Sequence, residues 1–125
     1  MEILSNIGAQ LNLAIAQNAD FGPVTLTFTN ADGTPVDLTG CNLAADLKKT
    51  PTGPVVEPFT CTITSPTTGV ATLYMSAATT AGPPCGASLT DPASAYVWDL
   101  KLTTGAAVIS RPLWGNVTVW REVTP

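Results

Sequence analysis

At 125 residues the chain is long enough for one domain with a substantial core. Charged residues make up only 11%, and the net charge is −4, with Lys48, Lys49, Lys101, Arg111 and Arg121 as the fixed cations. These cannot form a basic stripe. That excludes nucleic acid as the expected partner, because phosphate neutralisation dominates such binding.

A surface so poor in charge and so rich in Thr, Ala and Pro suits a subunit whose faces are covered by neighbours. No run reaches the roughly 20 apolar residues of a membrane helix, so no membrane association is expected. The opening MEILSNIGAQ carries Glu2 where a secretory signal has a basic region and breaks at Ser5-Asn6. A chain made and used in the cytosol is the expectation. Cys41, Cys61 and Cys85 are odd in number and form no CxxC pair. They read as free thiols, or one adventitious pair, and not as a disulfide framework. Histidine is absent from the sequence, which removes the commonest metal ligand and the commonest general base.

In chain order, apolar residues recur with period two and almost nowhere with the helical period. Residues 1–10 read as an N-terminal arm, and residues 11–125 as a single domain. Leu11, Leu13 and Ile15 alternate with smaller or polar residues. Val24, Leu26 and Phe28 alternate with three threonines, one face apolar and one hydroxylic. Cys41, Leu43, Ala45 and Leu47 repeat the pattern, as do Phe59, Cys61 and Ile63. SPTTG (residues 65–69) is a turn leading into a strand from Val70 to Met75. A helix of a turn or two fits only residues 74–82. Residues 83–95, rich in Pro, Gly and Ser, form the longest loop. Tyr96, Trp98, Leu100 and Leu102 alternate next. After a turn at Thr104-Gly105 the chain closes with Val117, Val119 and Val123 on one parity. Seven or eight short strands separated by turn signals predict an all-β, two-layer antiparallel sandwich. Its expected core is Val24, Leu26, Phe28, Leu43, Cys61, Ile63, Leu73, Trp98, Leu100, Leu102, Val117 and Val119.

Between two of these strands lies a polar clamp, Asp37-Leu38-Thr39-Gly40. Asp and Thr side chains hydrogen-bond nearby backbone N–H groups, and Gly tolerates positive φ. Asp37, Thr39 and Gly40 are therefore expected as a structural turn at the corner where the chain crosses between sheets. Asp32 and Asp37 share a loop, yet their spacing is not that of a calcium site, so no metal is expected. Asp46 and Asp99 fall at outward strand positions and read as solvated. Serines and threonines have no histidine to activate them, and neither SxxK, GxSxG nor a Gly-rich phosphate loop occurs. No catalytic residue and no cofactor is assigned. Trp114 and Trp120 share the outward parity of the last strand with Asn116, Thr118 and Glu122. Exposed tryptophans there invite a partner, unless a loop or the N-terminal segment covers them.

AQNADFGPVTLTFTNADGTPVDLTGCNLAADLKK, then SPTTGVATLYMSAATT, then YVWDLKLTTGAAVISRPLWGNVTVWREVT, resembles a group of small tail-region proteins of tailed bacteriophages and prophages. The matching positions are Gln17, Ala19, Asp20 and Phe21, the block Gly33 to Gly40, and Gly69-Val70. Tyr96 to Leu100 and Gly115 to Thr124 complete the likeness, which spans nearly the whole chain. The pattern is also similar to the N-terminal domain of phage baseplate upper proteins, an immunoglobulin-like sandwich that docks a receptor-binding apparatus. The segment AGPPCGASLTDPASA and the first ten residues exceed the family pattern.

The resemblance implies a non-enzymatic virion protein of the tail, baseplate or fibre- and spike-attachment region, assembled in the host cytoplasm. Its partners would be other virion proteins and copies of itself in a symmetric oligomer. Interface candidates are Trp114, Trp120, Pro83, Pro84 and Leu89. A capsid cement or decoration protein is an alternative. A carbohydrate-binding module using Trp120, Glu122 and Asn116 is another.

Overall fold

A computed structural model describes residues 7–84 and 93–122 of the chain. The described residues form β1 (Ile7–Gln10), β2 (Leu13–Ala16), β3 (Phe21–Thr27), β4 (Asn42–Lys48), β5 (Val55–Pro58), β6 (Thr60–Ser65), β7 (Val70–Met75), β8 (Ala93–Thr103) and β9 (Ile109–Trp120). Helical structure among them is one short turn at Ala77–Thr80 and a 3-10 turn at Pro66–Thr68. The helical turn falls inside the stretch expected to allow one. Its start is fixed by Asp20, whose carboxylate accepts from the Ala77 N–H at 2.8 Å and from the Tyr74 hydroxyl at 3.1 Å.

Two sheets make the sandwich. One runs β1-β9-β8-β4-β5, with β2 also paired to β9, and the other runs β3-β7-β6. In chain order this is the immunoglobulin arrangement, with a B-E-D sheet facing a G-F-C-C′ sheet. The all-β two-layer sandwich is therefore as the alternation predicts, with one departure from the antiparallel rule. Both β1 and β2 run parallel to β9, Ile7 opposite Arg111 and Leu13 opposite Val117. Residues 7–10, expected as part of an arm, are thus a strand of the larger sheet.

The expected Leu11–Ile15 strand is broken between β1 and β2, and the break has a clear cause. The Leu11 N–H donates to the Trp114 carbonyl at 2.8 Å, while the Asn12 side-chain oxygen accepts the Asn116 N–H at 3.0 Å. A side chain thus replaces a backbone acceptor in the ladder. At this crossing Gly115 is required, because a Cβ there would collide with the Leu11 carbonyl.

Between the sheets lie Ile15, Leu47, Leu73, Leu100, Val117 and Val119, all fully buried, together with Trp98, Tyr96, Phe59 and Met75. Phe59 stands edge-on to Phe21 at 5.9 Å and tilts against Trp98 at 5.8 Å, geometries that aromatic pairs favour. Of the expected core, Leu26, Leu73, Trp98, Leu100, Val117 and Val119 are buried, and Val24, Phe28, Leu43 and Cys61 pack against them half-buried. Ile63 and Leu102 are half-buried. Each lies beside a register shift, between Ile63 and Ser65 in one case and between Leu100 and Leu102 in the other.

Candidate functional site

The polar clamp works as the sequence suggests. The Asp37 carboxylate accepts the Thr39 N–H at 2.9 Å, and Gly40 takes a φ of +75°. The Thr39 hydroxyl, then its N–H, hold the Asp37 carboxyl below its ordinary value. The missed residue is Leu38, fully buried, with its N–H donated to the Pro66 carbonyl at 2.8 Å. One apolar side chain therefore nails the crossover from the β3 sheet to β4, and the polar residues around it shape the turn. Asp32 serves its own turn in the same way, accepting from the Thr34 hydroxyl at 2.6 Å and the Thr34 N–H at 3.0 Å. Both aspartates are engaged by backbone. Among the described residues no three His, Cys, Asp or Glu side chains gather at one point. Cys41 and Cys61 are free thiols.

The tryptophans occupy two separate places. Trp114 and Trp120 share the outer face of β9, six residues apart, or about 20 Å along a strand. Trp120 ends the strand with only alanines as cross-strand neighbours, Ala16 on β2 and Ala93 on β8. Both directly opposite side chains are thus single methyl groups, and the ring is 48% exposed.

Polar ties surround this end. The Trp120 carbonyl accepts the Gln17 N–H at 2.9 Å, and the Gln17 carboxamide donates to the Pro83 carbonyl at 2.8 Å. The Tyr96 hydroxyl donates to the Pro84 carbonyl. Lys49 donates to the Ala95 carbonyl at 2.8 Å and lies 4.6 Å over the Tyr96 ring. Gln17 thus ties the Trp120 backbone to the start of the long loop. Of the two prolines expected at an interface, Pro83 is a correction. It is fully buried, clamped beneath Gln17, and cannot meet a partner. Pro84 is exposed. Leu89 lies outside the described residues.

Trp114 belongs to a different setting, a cleft of about 370 Å³ on the outer face of the larger sheet. The register builds it from distant parts of the chain. Asp46 on β4 pairs with Asp99 on β8, and Asp99 pairs with Trp114 on β9. In the neighbouring row on the same face, Lys48 pairs with Val97, and Val97 with Asn116. Trp114 is held by its ring N–H, donated to the Gly8 carbonyl at 2.9 Å, so the N-terminal strand covers it in part. Arg111 reaches Asp99 at 3.6 Å across exposed surface. Asn116, grouped in the sequence with Trp120 and Glu122, stands four residues from Trp120, about 13 Å along the strand. It lines the Trp114 cleft instead.

Fold and surface together define an immunoglobulin-like sandwich with an exposed aromatic end and a separate cleft lined by both charged and apolar side chains. No protein-family model matches the chain, and no curated protein matches it either.

Proposed function

We propose that this chain is a non-enzymatic structural protein of a tailed-bacteriophage virion, from the tail, baseplate or fibre- and spike-attachment region, acting by docking to neighbouring subunits. The virion setting rests on the resemblance of its Gly33–Gly40, Tyr96–Leu100 and Gly115–Thr124 blocks to small phage tail-region proteins. The docking mechanism rests on one observation, the Trp120 ring, 48% exposed beside its alanine neighbours at the end of β9. A large amphipathic ring on an ordered strand can be buried by a partner at little entropic cost, and such rings are the usual anchors of interfaces.

Edges add a second means of pairing. β5 is short and bounded by Pro54 and Pro58, which blunts it, and β3 carries Pro23 within a bulge. β6 runs six residues without proline and, among the described residues, pairs only with β7, so its other side can accept a strand from a neighbour. An assembled interface above about 1,000 Å² is expected.

Particle assembly with the Trp120→Ala subunit tests the reading. Incorporation should weaken by about 2 kcal/mol while the isolated fold persists. Normal incorporation rejects Trp120 as the anchor, and absence of the wild-type chain from purified particles rejects the virion reading. Stoichiometry of the same particles assigns the region. A few copies per particle fit the tail, and hundreds fit a capsid decoration protein.

A further inference from the structure

We propose that the Asp46–Asp99–Trp114 cleft on the outer face of the larger sheet is a binding site for a neutral saccharide. The inference is independent of the docking reading, which rests on Trp120 at the far end of β9. Its volume of about 370 Å³ lies in the range of small-ligand sites. The cleft faces away from the second sheet, so it is no defect of the core.

Charge narrows the ligand. The two carboxylates, Asp46 and Asp99, are matched by Lys48 in the adjoining row and by Arg111 at 3.6 Å from Asp99. With no net charge, the cleft has nothing to offer a phosphate or a polycation in particular. It does offer unspent hydrogen-bonding groups. Among the described residues the Asp46 carboxylate, the Lys48 ammonium and the Asn116 carboxamide form neither a hydrogen bond nor an ion pair through their side chains. They supply an acceptor, a donor and a group that is both. A ligand satisfying all three must itself carry donors and acceptors in close succession, as a run of hydroxyls does.

The aromatic completes the set. The Trp114 N–H is already given to the Gly8 carbonyl, which fixes the ring and leaves its π surface as what it can offer. Its face is electron-rich, and the C–H face of a pyranose is the apolar, weakly positive surface that complements it. Asp46 and Asp99 lie directly opposite each other across two strands, a like-charge pairing that costs stability. A fold that keeps such a pair against a local rule does so most often at a working site.

The test uses the full chain on an array of neutral and charged glycans, followed by fluorescence and calorimetric titration with cello-, malto-, xylo- and chito-oligosaccharides. Saturable binding to at least one neutral glycan is expected, with a Kd on the order of 10 μM to 1 mM. Trp114→Ala and Asn116→Ala should each weaken it about tenfold or more, while Thr62→Ala, on the opposite sheet, leaves it unchanged. Trp114→Ala and Trp114→Phe both lose the N–H tie to Gly8, but only the phenylalanine keeps an aromatic face. Trp114→Phe should therefore bind better than Trp114→Ala, and circular dichroism checks that each variant folds. Binding of charged glycans alone, no binding by the folded wild-type chain, or binding indifferent to both Trp114→Ala and Asn116→Ala overturns the proposal. Loss of particle incorporation by Asn116→Ala without glycan binding would assign the cleft to a protein partner and overturn it as well.

Discussion

The indole N–H of Trp98 donates to the Leu11 carbonyl at 2.8 Å, joining the buried centre of β8 to the break between β1 and β2. This bond adds a polar tie to the apolar packing of Leu13 and Ile15, through which the parallel edge of the larger sheet joins the core. It is made by a ring whose other contacts, with Phe59 at 5.8 Å, are apolar. Trp98→Phe keeps an aromatic in place but leaves the Leu11 carbonyl without that donor. The variant should lose about 1–3 kcal/mol of stability, part from the unmet acceptor and part from the smaller ring. Urea denaturation of both proteins measures it, and equal midpoints would show that this bond adds nothing to the ladder and the burial of Leu13 and Ile15 that hold the N-terminal strands.

Gly115 faces the same carbonyl. An added methyl there would overlap the Leu11 backbone, which no side-chain rotation can relieve. Gly115→Ala should therefore cost about 1–3 kcal/mol, and it should loosen β1 and β2 more than β8. Hydrogen exchange read along the chain distinguishes this from a uniform loss, with residues 7–16 expected to exchange first.

Parity on β9 gives a sharper contrast. Val117 is fully buried, whereas Thr118, one residue on, faces outward and is half-buried. Val117→Asp places an unpaired carboxylate between the sheets and should unfold the domain, while Thr118→Asp should cost about 1 kcal/mol or less. Thermal melts of the pair decide it. Equal losses would mean that the two sides of β9 are equivalent.

How much of this was legible in the residues depends on how local the cause is. Tyr96, Trp98 and Leu100 alternate because β8 is a central strand with one face on the core, and their burial follows from period two. Leu102 breaks the pattern because a register shift intervenes, and nothing in the residues around it announces one. Leu38 was invisible for another reason. Its neighbours Asp37 and Thr39 mark a turn, while its backbone is tied to Pro66, far along the chain, a contact no local pattern announces. The outward parity of Asp46, Asp99 and Trp114 could be read strand by strand. That they meet in one cleft could not, because their meeting is set by the β4–β8 and β8–β9 registers alone. Trp114 and Trp120 looked like one patch for the converse reason, since parity records the face and not the distance along it.

Cys61 provides a pH-dependent test of the core. Burial, followed by the Asp46 carboxylate, pushes its thiol from an ordinary value of 9.0 up to about 11. Between those values the unfolded chain has released a proton that the folded chain retains, so unfolding becomes easier as pH rises. Below pH 9 both states hold the proton and the contribution of the neutral, buried thiol is complete. It fades as pH climbs from about 9 to about 11 and does not return above that window. The wild-type chain should therefore lose more stability across it than Cys61→Ala does. Comparing the two proteins cancels the contributions of every group they share. The same shift implies about a hundredfold less thiolate at Cys61 in the folded chain than in the unfolded chain at pH 8. Iodoacetamide labelling with and without urea, resolved by mass spectrometry, reads that ratio directly. Rapid labelling of Cys61 in the native protein would show that the site opens to solvent, and that β6 does not hold this thiol against the core as described.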